Sequence, residues 1–423
     1  MEIPSDLTER LHSNKEVNTY LQKHLTTKTS VFALKKSPFK NISPKELTEQ
    51  LFGMQTCRKK IPVFFSNPNI IYPPKLNLEQ CSSQWCADYK ASLVSGEILI
   101  DVTGGIGVDS YFFSKRMKQV YHIELHENTQ KLARHNFKTL QASNITSYCG
   151  DGIDFAQNTP EKDWIYIDPS RRDPKLKKVF FLEDCLPNVP DVLEHKQLGA
   201  FKHLLIKTSP LLDISQGLKS LLHVLEVHVV AVKNEVKELL WVVTPTKIDK
   251  HDIRFYAVNL IPKFNASLTS KKTDDSNHQV TTQKISFTRS EQHNSKSTFT
   301  TEVFEYLYEP SASLLKLGAF DWIGFHYKLS KLHPHAHLYT SCELLPDFMG
   351  KTFKVIWQKP FEKKVLKKIT KQKASVVTRN FKMTPSELRK KYKLTESDRY
   401  FLFFTTQKEG KLVVIYCEKI SKP

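Results

Sequence analysis

The chain has 423 residues, 40% apolar, 11% aromatic and 25% charged; this is a globular composition, with length for about three domains and ample buried core. No apolar run approaches the roughly 18 residues of a membrane span, and no basic-plus-apolar leader opens the chain, so a cytoplasmic protein without a membrane partner is expected. The formal net charge is +19, most of it near the C-terminus.

Seven scattered cysteines (57, 81, 86, 149, 185, 342 and 417) include no Cys-x-x-Cys pair, which predicts reduced thiols rather than a disulfide frame or zinc knuckle. Residues 1–60 read as a helical N-terminal cap. Its clearest helix opens at Ser43-Pro44-Lys45-Glu46, a capping box with proline at the first helical position, and continues through Leu47, Leu51 and Met54 at helical spacing. Pro62 to Pro74 is aromatic and proline-rich, and Leu76 to Ala91 has a helical pattern.

From Ile98 to Arg172, apolar runs of four to six residues alternate with helical patterns, which predicts a parallel α/β sheet. Ile98-Leu99-Ile100 ends at Asp101 and turns through Val102-Thr103-Gly104-Gly105-Ile106-Gly107-Val108-Asp109. Val120 to Ile123 ends at Glu124, Ile145 to Cys149 ends at Gly150-Asp151, and Trp164 to Ile167 runs into Asp168-Pro169-Ser170-Arg171-Arg172. Ligands of such sheets sit at the carboxyl ends of the strands, where Asp101, Glu124 and Asp168 fall. Glycines at 104, 105 and 107 permit positive φ and close approach of a ligand, and Glu124 is placed to accept both hydroxyls of a ribose. A dinucleotide or S-adenosylmethionine (SAM) is thereby suggested, against an ordinary glycine-rich turn. The dinucleotide fingerprint needs a third glycine, but Ser110 stands there. Asp101 would also repel a pyrophosphate, whereas it is placed to meet the ammonium of SAM.

Leu204-Leu205-Ile206 leads into Lys207-Thr208-Ser209-Pro210, and the apolar runs 227–232 and 239–243 flank a short polar turn, as in a hairpin. Residues 263–299 include a Ser/Thr/Asn/Lys-rich stretch and read as a polar linker or loop, although alternation returns from Ile285. A helical pattern covers Ala312 to Phe320. His333-Pro334-His335-Ala336-His337 has no acid or cysteine at ligand spacing, so a surface strand is expected there and no metal. Residues 351–393 hold fifteen Lys/Arg against Glu362 and Glu387, a net +13. A single-sign field of that size suits a phosphate backbone. Lys363, Lys364, Lys367 and Lys368 form one cluster within it. Thr384 to Glu387 forms another capping box, and Tyr400 to Phe404 and Lys411 to Cys417 read as paired strands.

Taken in order, the 101–109 loop, Asp-Pro-Ser-Arg-Arg at 168–172, Leu78 to Gln84, Lys207 to Pro210 and the Lys233-Asn234-Glu235 turn resemble the THUMP-like class I SAM-dependent methyltransferases. The similarity runs from about 60 to 260 and from Leu307 to the C-terminus. The resemblance implies an α/β fold with a Rossmann-like class I methyltransferase sheet at 61–262, and a small α+β C-terminal region. That region divides into a ferredoxin-like domain at 300–349 and a basic THUMP-like RNA-binding domain at 350–423. The two apolar runs at 227–243 match the last strands of such a sheet. As cofactor it implies SAM, held by Asp101, Thr103, Gly104, Gly105, Gly107, Glu124 and Asp151, the last at the adenine amine. Gln80, Ser82 and Ser83 are then either contacts to its methionine end or plain helix-cap residues.

In amine-methylating relatives, the fourth motif accepts hydrogen bonds from an exocyclic amine through its first side chain and a following carbonyl. Asp168, Pro169 and Ser170 take that catalytic place, with Ser170 where those relatives have proline. Arg171 replaces their stacking aromatic; with Arg172 and Lys207 it is expected to touch substrate, as are the four lysines. Methylation at pyrimidine C5 needs a cysteine nucleophile after the fifth strand, and none follows Ile206. The expected activity is SAM-dependent methylation of tRNA or rRNA at an exocyclic base nitrogen; a non-catalytic RNA-binding scaffold is the alternative.

Overall fold

The computed structural model describes residues 15–171, 181–263 and 279–421; Arg172 lies outside them. The described residues fall into two compact units. The first takes those up to 227 with 237–248 and those of 260–281; the second takes 228–236, 249–259 and those from 282 onward.

In the first unit the Ser43 capping box forms as expected and opens the helix Pro44–Lys60, whose Leu47, Leu51 and Met54 are buried. Two buried amides fasten the segment behind it. Gln50 accepts from the Tyr72 N–H and donates to its carbonyl at 2.9 and 2.7 Å. Asn136 does the same for Ile71 at 3.0 and 2.9 Å. An irregular strand buried between helices would otherwise leave these backbone groups unpaired. Leu76 to Ala91 is two helices, Lys75–Gln80 and Gln84–Ala91. The break arises because the Ser83 hydroxyl accepts from the Cys86 N–H and caps the second helix, while the Lys60 ammonium takes the carbonyls of Leu78 and Glu79.

The strands are β1 (Gly96–Asp101), β2 (Met117–Glu124), β3 (Ile145–Cys149), β4 (Trp164–Ile167), the short pair β5 (Ser170–Arg171) and β6 (Cys185–Leu186), then β7 (His203–Thr208), β8 (Val224–Val232), β9 (Glu235–Val243), β10 (Arg254–Pro262) and β11 (Val280–Thr288). Nine of them form one sheet in the order β11-β10-β8-β9-β7-β4-β1-β2-β3. β1 pairs in parallel with β2 and β4, β2 with β3, and β4 with β7. β9 runs antiparallel to β7. It returns from β8 through Lys233 and Asn234, both left-handed at φ 51 and 66, the geometry of a tight hairpin turn. This inserted antiparallel strand is what separates the sheet from a dinucleotide-binding one. The Rossmann-like class I fold expected from the sequence is therefore present. Part of the expected linker, by contrast, is strand β11: it begins at Val280, and the following Thr281, Thr282, Gln283 and Lys284 are polar, which hid it in the sequence.

The second unit contains β12 (Thr298–Phe299), β13 (Tyr306–Pro310), β14 (Ser330–Lys331), β15 (Tyr339–Ser341), β16 (Gly350–Pro360), β17 (Ser375–Arg379), β18 (Tyr400–Thr406) and β19 (Leu412–Lys419), ordered β12-β14-β15-β13-β16-β19-β18-β17. β18 and β19 pair antiparallel, as their alternation predicts. The helical pattern from Ala312 is divided between Ala312–Lys316 and Phe320–His326. The histidine run is a turn between β14 and β15 rather than a strand: Pro334 lies within it, and His337 is left-handed at φ 51. The His333 ring accepts from the His335 N–H, and the His337 ring stacks on Phe320.

Replacing Asn136 with leucine strands the buried Ile71 N–H and carbonyl, at about 1–3 kcal/mol for each unpaired group. Urea unfolding followed by fluorescence should show a clearly lowered midpoint, and an unchanged midpoint would show that the clasp is not needed.

Candidate active site

Four neighbouring strands in the order β2-β1-β4-β7 carry Glu124, Asp101, Asp168 and Lys207 at or just past their carboxyl ends. Thr103 joins two of these elements: its hydroxyl accepts from the Asp168 N–H at 2.7 Å. The glycine turn and the Asp168 motif are thus one hydrogen-bonded unit.

Within the turn, Gly105 is left-handed at φ 57, and a Cβ there would meet only the Thr103 carbonyl, at 3.8 Å. Its bare backbone faces open space, which is what a ligand cradle needs. The Gly105 N–H donates to Glu124 Oε2 at 2.8 Å, and the His126 N–H to Oε1 at 2.8 Å. Gly104 is needed for a different reason from the one expected: a Cβ would lie 2.4 Å from the His122 ring. That imidazole is buried, bonds Ser147 and the Gly105 carbonyl, and is pushed down to about 4 by burial, so it is neutral.

Asp101 is 1% exposed. Its carboxyl accepts from the Thr103 N–H at 3.2 Å and from the Ser110 hydroxyl at 2.5 Å. This enclosure leaves no open face for the ammonium anticipated from the sequence; as found, Asp101 braces the loop from beneath. Burial raises its pKa to about 8. Asp151 caps the helix Gly152–Asn158, accepting from the N–H groups of Ile153 and Asp154 through Oδ1.

Asp168 is 35% exposed at its side chain, and its Oδ2 lies 2.5 Å from the Lys207 ammonium. Burial alone would weaken the charge on Lys207, but Asp168, Asp109 and Glu238 outweigh it and hold its pKa above the ordinary lysine value. Pro169 is half-buried. Ser170 is exposed on β5, paired with Leu186, and Arg171 follows it opposite Cys185.

Below this surface lies a charged group that sequence reasoning missed. Lys90, 0% exposed, meets Glu238 at 2.9 and 3.0 Å, Ser82 at 2.9 Å and Asp109 Oδ1 at 3.2 Å. Ser82 and Tyr166 both donate to Asp109 Oδ2. Ser82 is therefore committed to this buried network, and Ser83 to its helix cap. The available signals were a lysine among the apolar residues of 85–91 and an acid opening the apolar run 239–243.

The ferredoxin-like domain model matches residues 306–348 and the THUMP domain-like model residues 350–419. A crystal structure of a candidate methyltransferase from Porphyromonas gingivalis W83 shares 28% identity, covers 98% of this chain and 99% of that one, and superposes with a TM-score of 0.80. The first unit has a class I methyltransferase fold. A candidate methyltransferase from Streptococcus mutans, solved with SAH, is 18% identical over 37% of this chain and 94% of its own, at a TM-score of 0.28. The tRNA m1G37 methyltransferase of M. jannaschii is 14% identical over 40% and 51%, at 0.27. Comparison with curated proteins gives no match.

A carboxyl that titrates at about 8 when folded, against 3.8 when free, holds its proton more tightly in the fold. Its contribution is full below about pH 4 and is lost as pH rises to 8. The unfolding temperature of Asp101→Asn minus that of wild type should therefore climb between pH 5 and 8 and level off above 9; a flat difference would refute the buried titration. Lys90→Met should cost about 3–5 kcal/mol by stranding two buried carboxylates. Lys90→Met/Glu238→Leu should recover part of that loss in the same unfolding assay.

Proposed function

We propose that this protein is a SAM-dependent methyltransferase acting on RNA, tRNA or rRNA, at an exocyclic base nitrogen. The observation that carries the reading is the grouping of the glycine turn, Glu124 and the Asp168–Lys207 pair at adjacent strand ends. The full-length similarity to the Porphyromonas protein supports it.

The residues present fit the cofactor. Gly105 offers backbone without a side chain in the way, and the Glu124 carboxylate has acceptor capacity beyond its two N–H partners for the ribose hydroxyls. Asp151 reaches the adenine amine in this reading, Gly104 and Gly107 set the turn, and Asp101 and Thr103 act by bracing it. When bound, SAM supplies an electrophilic methyl group. The protein's own task is alignment of the nucleophile for in-line attack. Asp168 and the carbonyl of Pro169 accept the N–H bonds of the amine, which turns its lone pair outward. The carboxylate also favours the positive charge that develops on nitrogen. Lys207 fixes that carboxylate in place, and Ser170 and Arg171, which follow on β5, are the candidates for substrate contact in this reading.

The grip on RNA is assigned to the THUMP-like region. Lys363, Lys364, Lys367 and Lys368 are all exposed on the helix Lys363–Ile369, whose Val365 and Ile369 are buried. None of the four ion-pairs among the described residues. Such unpaired ammonium groups suit phosphates.

The deciding experiment is transfer of labelled methyl from SAM to total RNA from cells deleted for the gene. Label should appear with wild type and fall by about 100-fold or more with Asp168→Ala, on the scale of lost positioning, while calorimetric SAM affinity stays within about threefold. Glu124→Ala should instead weaken SAM binding. Absence of both label and SAM binding in wild type would refute the reading. Charge reversal of the four lysines to glutamate should weaken RNA binding and flatten its salt dependence. An unaltered salt slope would move the RNA site elsewhere.

A further inference from the structure

The sheet part formed by β17, β18, β19 and β16 has two faces with different fates. One, bearing Phe353, Phe403, Ile415 and Cys417 and continued by Leu307 of β13, is filled by Leu332 and Leu338. The other, bearing Leu402, Phe404 and Val414, is covered by Ile369 of the lysine helix and by Leu388 and Tyr392 of the helix Pro385–Tyr392. At the margin of that second face stand three aromatic rings that this cover leaves half-exposed: Tyr400, Tyr416 and Trp357.

The three form a ladder across adjacent strands. The Tyr400 and Tyr416 ring centres are 5.7 Å apart with planes 21° off parallel, and those of Tyr416 and Trp357 are 5.4 Å apart at 30°. A β-bulge creates the third rung. Val355 lies opposite Cys417, and Trp357 lies opposite Tyr416, so Ile356 is an inserted residue, 48% exposed. Without it, strand parity would put Trp357 on the filled face with Val355. Positive charge borders the ladder. The Lys359 ammonium is 5.5 Å from the Trp357 ring centre, and the Arg399 guanidinium is 5.2 Å from that of Tyr400. Arg399 is paired with Glu418 at 2.6 Å, so the charges left for a ligand are Lys359 and the exposed lysines of the helix Lys363–Ile369, which rests on the same apolar cluster.

We propose that Tyr400, Tyr416 and Trp357 are a stacking platform for unpaired bases of an RNA strand whose phosphates lie against Lys359 and the lysine helix. Aromatic rings bind base faces irrespective of sequence, and a duplex hides those faces while a loop or single-stranded end presents them. Clustered cations beside the rings complement the backbone linking such bases. The proposal rests on the RNA reading above and narrows it from RNA in general to an unpaired segment.

The test uses the full chain without SAM. The difference in tryptophan emission between wild type and Trp357→Phe isolates Trp357; it is followed while a single-stranded 12-nucleotide RNA, the same sequence as duplex, or an acidic peptide is added. Anisotropy of the labelled RNAs gives affinities. The single strand should quench the Trp357 signal. Trp357→Ala should weaken single-strand binding about tenfold, in line with the loss of one stacked base, with duplex binding and the salt slope kept. Trp357→Phe, which retains a ring, should bind within about threefold of wild type and guards against misfolding. Silence of Trp357 while the single strand binds, or wild-type affinity in Trp357→Ala, would mean that the ladder only stiffens the sheet. Quenching by the peptide alone would assign the face to protein and overturn the proposal. Failure of wild type to bind any RNA would remove the platform and the RNA reading together, whereas a silent Trp357 removes the platform alone.

Discussion

A fully buried ammonium is tolerated only if its lost hydration is replaced, and Lys90 is the point where this chain meets that demand. Its partners come from three places far apart in sequence: Ser82 before its own helix, Asp109 at the start of the helix after the glycine turn, and Glu238 on the antiparallel strand β9. None of the three elements can shift without uncovering a charge in a dry interior. The position of the glycine turn therefore depends on a lysine that is wholly buried. Tyr166 and Ser82, both donating to Asp109, complete the set.

The same field reaches the surface. Lys207 is held charged against its burial by Asp168 together with Asp109 and Glu238, so the Asp168 pair is the outermost member of a chain of alternating charges. Asp101, one strand away, has no ammonium partner among the described residues, and burial raises its pKa. The neutral His122, packed where Gly104 has no side chain, fills the remaining side of the turn without adding charge.

Much of the fold was legible because it is written in short-range signals. The capping boxes at Ser43 and Thr384 formed, apolar runs ending in an acid became the parallel strands, and the polar turn at 233 became a hairpin. The site was legible only where one residue type sits at a strand end. The Lys90–Glu238 contact joins residues 148 positions apart, and pairings of that range leave no local periodicity. Gly104 looked like its neighbours at 105 and 107, but its purpose is set by the ring of His122. The extra residue at Ile356 is likewise invisible until a partner strand fixes the register. The histidine run misled for the opposite reason: its alternation resembles a strand, yet Pro334 within it and a left-handed His337 turn the chain.

The chemistry open to the site is narrowed most by the carboxyl end of β7. Covalent methylation of a pyrimidine ring carbon would require a nucleophilic thiolate where this chain has Lys207. An ammonium could be a nucleophile only after losing its proton, and Asp168, Asp109 and Glu238 oppose that loss. Lys207 is therefore suited to holding a carboxylate still and to nothing more reactive. With covalent catalysis unsupported, alignment is the task that the proposed function leaves to these strand ends: a carboxylate paired with Lys207, tied through Thr103 to the turn, beside backbone that a ligand can approach. A site built for alignment gains from rigidity, and the buried charges beneath it are the source of that rigidity.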